Sequence, residues 1–428
     1  MAAVVSLSCL TVVATMLLAL FEHKLHPNHL SARLYWVAPL AGALILIGGG
    51  ALSLREALDG LLADSAVNPV KILLLFLSMT LMSIFLDEAG FFRYLASKVL
   101  HRAGTSQRKL FFLLYLAVSV LTVFTSNDIV VLTFTPFICY FSKHAKIDPL
   151  PYLIAEFVAA NTWSMGLIIG NPTNIYLAAG NGIDFAAYLA VMILPTVLAG
   201  AVSLLVLWLL FFKKLSQPMR ADDEQLRLSD KPTVLLGLVS LGGCILLLVI
   251  SSYISVPMWI IAVVACLFLY LSAVPELLLR RRGLELVTNS LLRTPFDVIP
   301  FVLSMFVIVL ALGKVGATGA LAALLMGESE ILSVGVASFL AANLINNIPM
   351  SVLFSTVVGN SLPALYAAVI GSNIGAFFTP MGALAGIMWM ALLKQHGVTL
   401  GFGSFLKYGV ALSIPALLAA LGGLALVL

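Results

Sequence analysis

Two polar knots limit what this chain can fold into: Thr125-Ser126-Asn127-Asp128, and Asn343-Leu344-Ile345-Asn346-Asn347-Ile348-Pro349, each set between long apolar arms. As helices, residues 111–125 cover about 22 Å and residues 332–345 about 21 Å, against a hydrocarbon core of about 30 Å. Arms that short predict two re-entrant helical hairpins whose polar tips stop near mid-membrane. Non-helical backbone is tolerated at that depth only where it lines a protein-enclosed cavity. Two such tips predict a site built between two halves of the chain.

Composition agrees that the solvent is lipid. Of 428 residues 61% are hydrophobic and 10% charged, with a mean hydropathy of +1.11; a soluble domain carries about 25% charged residues. The net charge of +4 would suit nucleic acid, but the basic residues fall in short loops, as the positive-inside rule requires, and no nucleic-acid partner is implied. Cys9, Cys139, Cys244 and Cys266 lie in apolar runs without CxxC or metal-ligand spacing. They read as small core residues, not as disulfides or a metal site. The N-terminal run lacks a basic n-region and an A-x-A site and reads as a retained span.

The predicted fold is an all-α polytopic membrane protein of about ten transmembrane helices plus two re-entrant hairpins, in an inverted five-helix repeat. The first repeat is 1–212, with spans near 3–21, 35–53, 70–87 and 186–212, an amphipathic stretch 88–100, a hairpin near 109–142 and a broken segment 150–180. Residues 213–232, the one extended hydrophilic stretch, form a cytoplasmic linker. The second repeat, 233–428, has spans near 234–252, 256–275, 297–313 and 405–428, an amphipathic stretch 315–327 and a hairpin near 331–361. Its broken segment carries Gly371-Ser372-Asn373, Gly375 and Thr379-Pro380-Met381-Gly382.

Lys and Arg place loops 22–34, 101–109, 143–149, 213–231, 280–293 and 394–407 in the cytoplasm, the loop with Glu328 and Glu330 opposite, and both termini outside it. An odd number of crossings per half inverts the second half relative to the first. Asn161 to Gly170 and Asn373 to Gly382 share one spacing, and residues 87–96 align with 313–322 without a gap. That alignment puts Glu88 opposite Lys314; the tips Asn127 and Asn347 also correspond.

Asp128 ends an apolar arm with no Lys or Arg near it in sequence. A carboxylate at the bilayer centre costs at least about 2.5 kcal/mol, so such a residue is protonated or faces water and a partner. It suits a proton-coupled carrier, although Ser-Asn-Asp is also a good helix-capping series. Glu156, inside the broken segment, is a second candidate for proton transfer. Ser126, Asn127, Asn161, Asn171, Thr173, Asn174, Asn343, Asn346, Asn347, Ser372, Asn373 and Thr379 crowd the interruptions. Amides both donate and accept, so such a cavity suits a small oxygen-rich solute; alternatively, they satisfy the backbone of the broken helices. Asp87 is a further charge near an apolar end; Glu88 and Lys314 read as interfacial, Asp297 as the start of a span, and His101, His144 and His396 as surface. Walker, HExxH and GxSxG patterns are missing from the sequence, so neither an ATPase nor a membrane protease is indicated.

The sequence resembles a known family in four places: Ser126-Asn127-Asp128 with Thr135-Pro136; Gly170-Asn171-Pro172-Thr173-Asn174; Asn346-Asn347-Ile348-Pro349-Met350; and Gly371-Ser372-Asn373-Ile374-Gly375 with Thr379-Pro380-Met381-Gly382-Ala383-Leu384-Ala385 and Trp389. These look like the arsenite/antimonite efflux permeases, the ArsB-type arsenical pump membrane proteins of the ion-transporter superfamily. The resemblance implies ten spans and two hairpins in the inner membrane, and export of trivalent arsenic or antimony in exchange for protons. It also implies docking of a cytosolic ArsA-type ATPase, with no cofactor in the permease itself. By motif, Asn127, Asp128, Asn171, Asn174, Asn347, Asn373 and Thr379 become the expected cavity residues. The chain departs from the family pattern at Ala383, where Ser is frequent, and at Leu167-Ile168, where related permeases have Thr-Pro.

Arsenite near neutral pH is an uncharged trihydroxide, which a hydrogen-bonding cavity without a fixed cation fits. A dicarboxylate would ask for Arg or bound Na⁺, and no Arg lies in a predicted span. Without a Cys cluster, binding is expected as the hydroxide, without thiolate ligation. The alternatives are a Na⁺/H⁺ antiporter or a Na⁺- or H⁺-coupled anion or carboxylate carrier of the same architecture, since unwound carbonyls and tip Asn side chains can hold Na⁺.

Overall fold

The computed structural model describes residues 1–25, 34–63, 68–178, 181–219, 228, 230–327 and 329–428, without the side chains of residues 19–25 and 252. The predicted loop residue Arg33, the side chain of Lys24, Glu328 and linker residues 220–227 and 229 therefore lie outside the described residues.

The described chain is helical. It opens with α1 (Ala2–Leu25), α2 (Val37–Gly48), α3 (Leu54–Leu62), α4 (Pro69–Glu88) and α5 (Phe91–Ala103). The expected span 35–53 is thus cut at Gly48, and an amphipathic helix follows, started by a Ser53/Glu56 capping box. Next come α6 (Gln107–Phe124), α7 (Asn127–Ala145), α8 (Leu150–Trp163), two short 3₁₀ turns, α9 (Pro172–Ala178) and α10 (Phe185–Leu215). The second half runs α11 (Lys231–Val249), α12 (Ser251–Ile254), α13 (Met258–Leu279), α14 (Glu285–Arg293), α15 (Val298–Lys314) and α16 (Ala317–Leu325). It closes with α17 (Glu330–Ile345), α18 (Asn347–Val357), α19 (Leu362–Gly375), α20 (Leu384–Gln395) and α21 (Phe402–Val427). Among the described residues, seven helical stretches are long and apolar enough to cross a membrane, and shorter apolar helices fill the middle of each half.

Residues 107–145 form a hairpin, as α8 demonstrates by acting as a ruler. Phe111, near the start of α6, and Phe141, near the end of α7, both pack on the Tyr152 ring, at 6.3 and 5.9 Å between centroids. The base of both arms therefore lies at one end of α8. The tip residue Asn127 meets Asn161 nine residues further on, about 14 Å along the helix. The arms are longer than the sequence reading allowed, because α6 begins at Gln107 and α7 reaches Ala145. What makes the segment re-entrant is the two-residue break at Thr125-Ser126, not arm length.

The helix contacts come in twins. α4 packs on α13 as α15 packs on α2; α7 packs on α20 as α18 packs on α9; α6 and α8 pair as α17 and α19 do. At the centre α10 and α21 run antiparallel: Phe211 meets Tyr408 at one end, and Gly423 lies against Pro195 and Leu198 at the other. An antiparallel central pair is what an inverted arrangement of two like halves produces.

The expected interfacial charges are in fact paired. Arg293 at the end of α14 binds Asp87, at 2.7 Å, and Glu88 at the end of α4. Lys314 at the end of α15 binds Glu56 of α3 at 2.8 Å. The two clamps occupy twin positions with the signs exchanged, as the alignment of Glu88 with Lys314 requires. The hydrogen bond from Lys314, with help from the capping box, holds the Glu56 carboxyl at about 2, below the usual carboxylate range. Asp297 directly precedes α15, as expected, and His101, His144 and His396 are exposed.

Candidate functional site

Each half is broken after its hairpin, and side chains hold both breaks. In the first, Asn174 Nδ2 donates to the carbonyls of Ser164 (2.8 Å) and Leu167 (3.0 Å), left orphaned where α8 unwinds. In the second, Asn343 Nδ2 donates to the Phe339 and Gly375 carbonyls, while its Oδ1 accepts from Thr379 N and Oγ1, at 3.1 and 2.7 Å. Gly170 and Gly382 make these turns possible. A Cβ on either would stand 2.3 Å from a backbone oxygen, of Ser164 and of Gly375 respectively. Both glycines stand nine residues after an asparagine, Asn161 and Asn373.

The breaks meet through one buried amide chain. Asn127 Nδ2 donates to Asn161 Oδ1 (3.0 Å), and Asn161 Nδ2 donates to the Phe157 carbonyl of its own helix. Ser164 Oγ donates to the Asn161 carbonyl and to Asn373 Oδ1, both at 2.9 Å. Asn171 Nδ2 also donates to Asn373 Oδ1, and Asn373 Nδ2 donates to Asn174 Oδ1 at 2.7 Å. Asn373 thus ties the first half's break to α19. Two residues later, the Gly375 carbonyl accepts from Asn343 beneath the second tip.

The second tip is fastened to its own break. Asn347 N donates to the Gly382 carbonyl (3.1 Å), and Asn346 Nδ2 to the Met381 carbonyl (3.3 Å). Asn346 adopts φ 70°, ψ 153°, a region almost confined to glycine and held only by surrounding structure.

These bonds divide the predicted residues. Asn171, Asn174, Asn346, Asn373 and Thr379 hold backbone or one another, so the helix-satisfying reading applies to them. Four others keep unused capacity. Asn127 Oδ1, Thr173 Oγ1 and Ser372 Oγ are buried without a hydrogen-bond partner, and among the described residues no hydrogen bond engages the Asn347 side chain. Each unsatisfied buried group costs about 1–3 kcal/mol, recoverable when a solute bonds to it. Ser126 is buried beside the first tip and makes no side-chain cap bond. Asp128 is half-buried in the first turn of α7.

Glu156 stands apart from the amide chain. It is fully buried, and both its oxygens lie 3.1 Å from Thr135 Oγ1 on α7. The Trp389 indole of α20 faces it without a hydrogen bond of good geometry and stacks on Phe157 at 4.6 Å. The carboxyl therefore sits between a hairpin arm of one half and the broken segment of the other. Sequence reasoning missed Ser164, the bridge to Asn373, and the pairing of Thr135 with Glu156; a serine three residues past Asn161 carries no distinctive signal. It also missed that Thr133 Oγ1 of α7 donates to Asp87 (2.8 Å), joining the hairpin to the Arg293 clamp. Ala383 precedes α20 in a capping conformation but has no side chain to cap with; this is where the family pattern often has Ser.

The chain is similar to known membrane transporters. The family model described as a citrate transporter (CitMHS) matches residues 16–366. The arsenical pump membrane protein of Escherichia coli (strain K12) is 30% identical over 377 residues, covering 82% of this chain and 85% of that one. Its namesake from Yersinia enterocolitica is 28% identical over 376 residues, with the same coverage. Among solved structures, the YdaH transporter of Alcanivorax borkumensis aligns with a TM-score of 0.57 over 91% of this chain and 96% of that one, at 12% identity, a likeness of fold. The matched span, the covered relatives and the helical architecture together place the chain in the CitMHS family of membrane transporters, alongside the arsenical pump membrane proteins.

Proposed function

We propose that the protein is a secondary transporter that exports arsenite or antimonite, as the uncharged trihydroxide, in exchange for protons by alternating access. The observation that carries this reading is the unused bonding capacity of Asn127 Oδ1, Thr173 Oγ1 and Ser372 Oγ. They lie on the first hairpin tip and the broken segments of both halves, among buried amides, with Asp128 beside the first tip. A neutral polyol-like solute needs such a set of amides and hydroxyls and no counter-charge. Asp128 and Glu156 carry the exchanged protons. The names of the curated relatives support the substrate class.

In this account 1–212 and 233–428 are the two inverted repeats, 213–232 the linker, and the first hairpin enters from the cytoplasmic face of the inner membrane, with both termini outside. The family model's description favours a second reading, a carboxylate carrier. A tricarboxylate would need a cation at the site, whereas the charges seen beside the hairpins are already paired in the clamps. Expression in a cell lacking its own exporters separates the two. The proposal expects raised arsenite and antimonite resistance with lowered cell arsenic, and no citrate uptake; citrate uptake without metalloid resistance would replace it with the second reading.

A further inference from the structure

Away from the amide chain, three mutually packed helices of the scaffold, α4, α11 and α13, bring sulfur atoms together. Cys244 Sγ of α11 lies 3.7 Å from Met79 Sδ of α4, and Cys266 of α13, a helix packed against both, shares a groove with Leu81, two residues after Met79. Both thiols and the thioether are buried. The cluster sits between two lipid-facing apolar grooves. Cys244 lines one, of about 410 Å³ between α11 and α13, and Cys266 lines the other, of about 500 Å³ with Leu81, Tyr270 and Leu291. The twin position, where α15 packs on α1 and α2, has Met305 but no cysteine on α2; the exposed Cys9 of α1 is the nearest equivalent. Pseudo-symmetry therefore does not demand the pair, and packing alone would be served by alanine.

We propose that Cys244 and Cys266, assisted by Met79, form a dithiol site for apolar organic trivalent arsenicals that enter from the lipid. Soft sulfur donors select thiophilic centres, and a groove beside each thiol can take an organic substituent. The step is a ligand exchange. Two S–H bonds and two As–OH bonds break, two As–S bonds form, both protons leave with the hydroxides as two waters, and arsenic stays trivalent. The site is separate from the transport site, so its test does not depend on transport.

The test uses the full chain in detergent with phenylarsine oxide, read by native mass spectrometry. One retained adduct is expected. It should be released by 2,3-dimercaptopropanol but not by equivalent 2-mercaptoethanol, since only a dithiol competes with a chelate. Cys244→Ser or Cys266→Ser should each abolish it, Cys9→Ser and Cys139→Ser should keep it, and Met79→Leu should raise the half-saturating concentration severalfold. No adduct on the unaltered protein, release by the monothiol, or an adduct that survives Cys244→Ser would overturn the site. The monothiol comparison needs no variant and decides the question even if a serine at either position prevents folding.

Discussion

The two hairpin tips occupy twin positions and are built differently. The second is fastened by backbone and amide bonds to its own broken segment: Asn347 N to Gly382, Asn346 to Met381, Asn343 to Gly375 and Thr379. At the first tip the Asn127 side chain donates to Asn161, and Asp128 stands where the second tip has Ile348. Five residues before Asn161 stands Glu156; five before Asn373 stands Ala368. One half thus keeps both acids, and the other keeps the tip fastened to its own broken segment. In the proposed function this asymmetry puts proton exchange in the first half, with the solute bonded by groups of both halves.

The largest test of this division concerns the acids. Asp128→Asn should leave the protein folded but reduce proton-driven export at least tenfold, which is about 1.4 kcal/mol of lost coupling or more. Glu156→Gln should fold, because Thr135 can still bond its amide, and its flux should stop responding to the pH gradient. Gradient-dependent flux at wild-type level in both variants would end the assignment of protons to the first half. Next in size, Gly170→Ala and Gly382→Ala should destabilise by about 1–3 kcal/mol or more and by similar amounts, read as thermal unfolding in detergent. Both new methyls would meet backbone that cannot swing aside, so a marked inequality would break the twin relation of the two turns. Smaller still, Asn127→Ala should lose about 1–3 kcal/mol of stability by stranding Asn161 Oδ1. Asn347→Ala should leave stability nearly unchanged and weaken arsenite binding; equal thermal losses would show that the tips are anchored alike.

The polar knots, the order of elements, the twin glycine spacing and the opposition of Glu88 to Lys314 were legible from residues alone, because lipid makes every interruption of an apolar run costly and therefore conspicuous. The cut after Gly48 was not, since Ala51 and Leu52 continue the apolar run past the turn and only the Ser53/Glu56 cap marks the new helix. Which amides hold backbone and which stay unused could not be read either: Asn127 and Asn171 look alike in sequence. Their difference is made by Ser164 and Asn373, brought in by packing from 209 residues apart. The partners of the interfacial charges were hidden for the same reason. Arg293 lies far along the chain from Asp87 and Glu88, and only the docking of α14 on α4 creates the clamp.

Arsenite uptake into everted membrane vesicles, with an imposed pH gradient and a matched Na⁺ gradient as control, is the most direct measurement. The account predicts saturable accumulation when the vesicle interior is acidic, no response to Na⁺, and loss of the response in Asp128→Asn. Accumulation driven by Na⁺, or uptake indifferent to both gradients, would contradict a proton-handling first half.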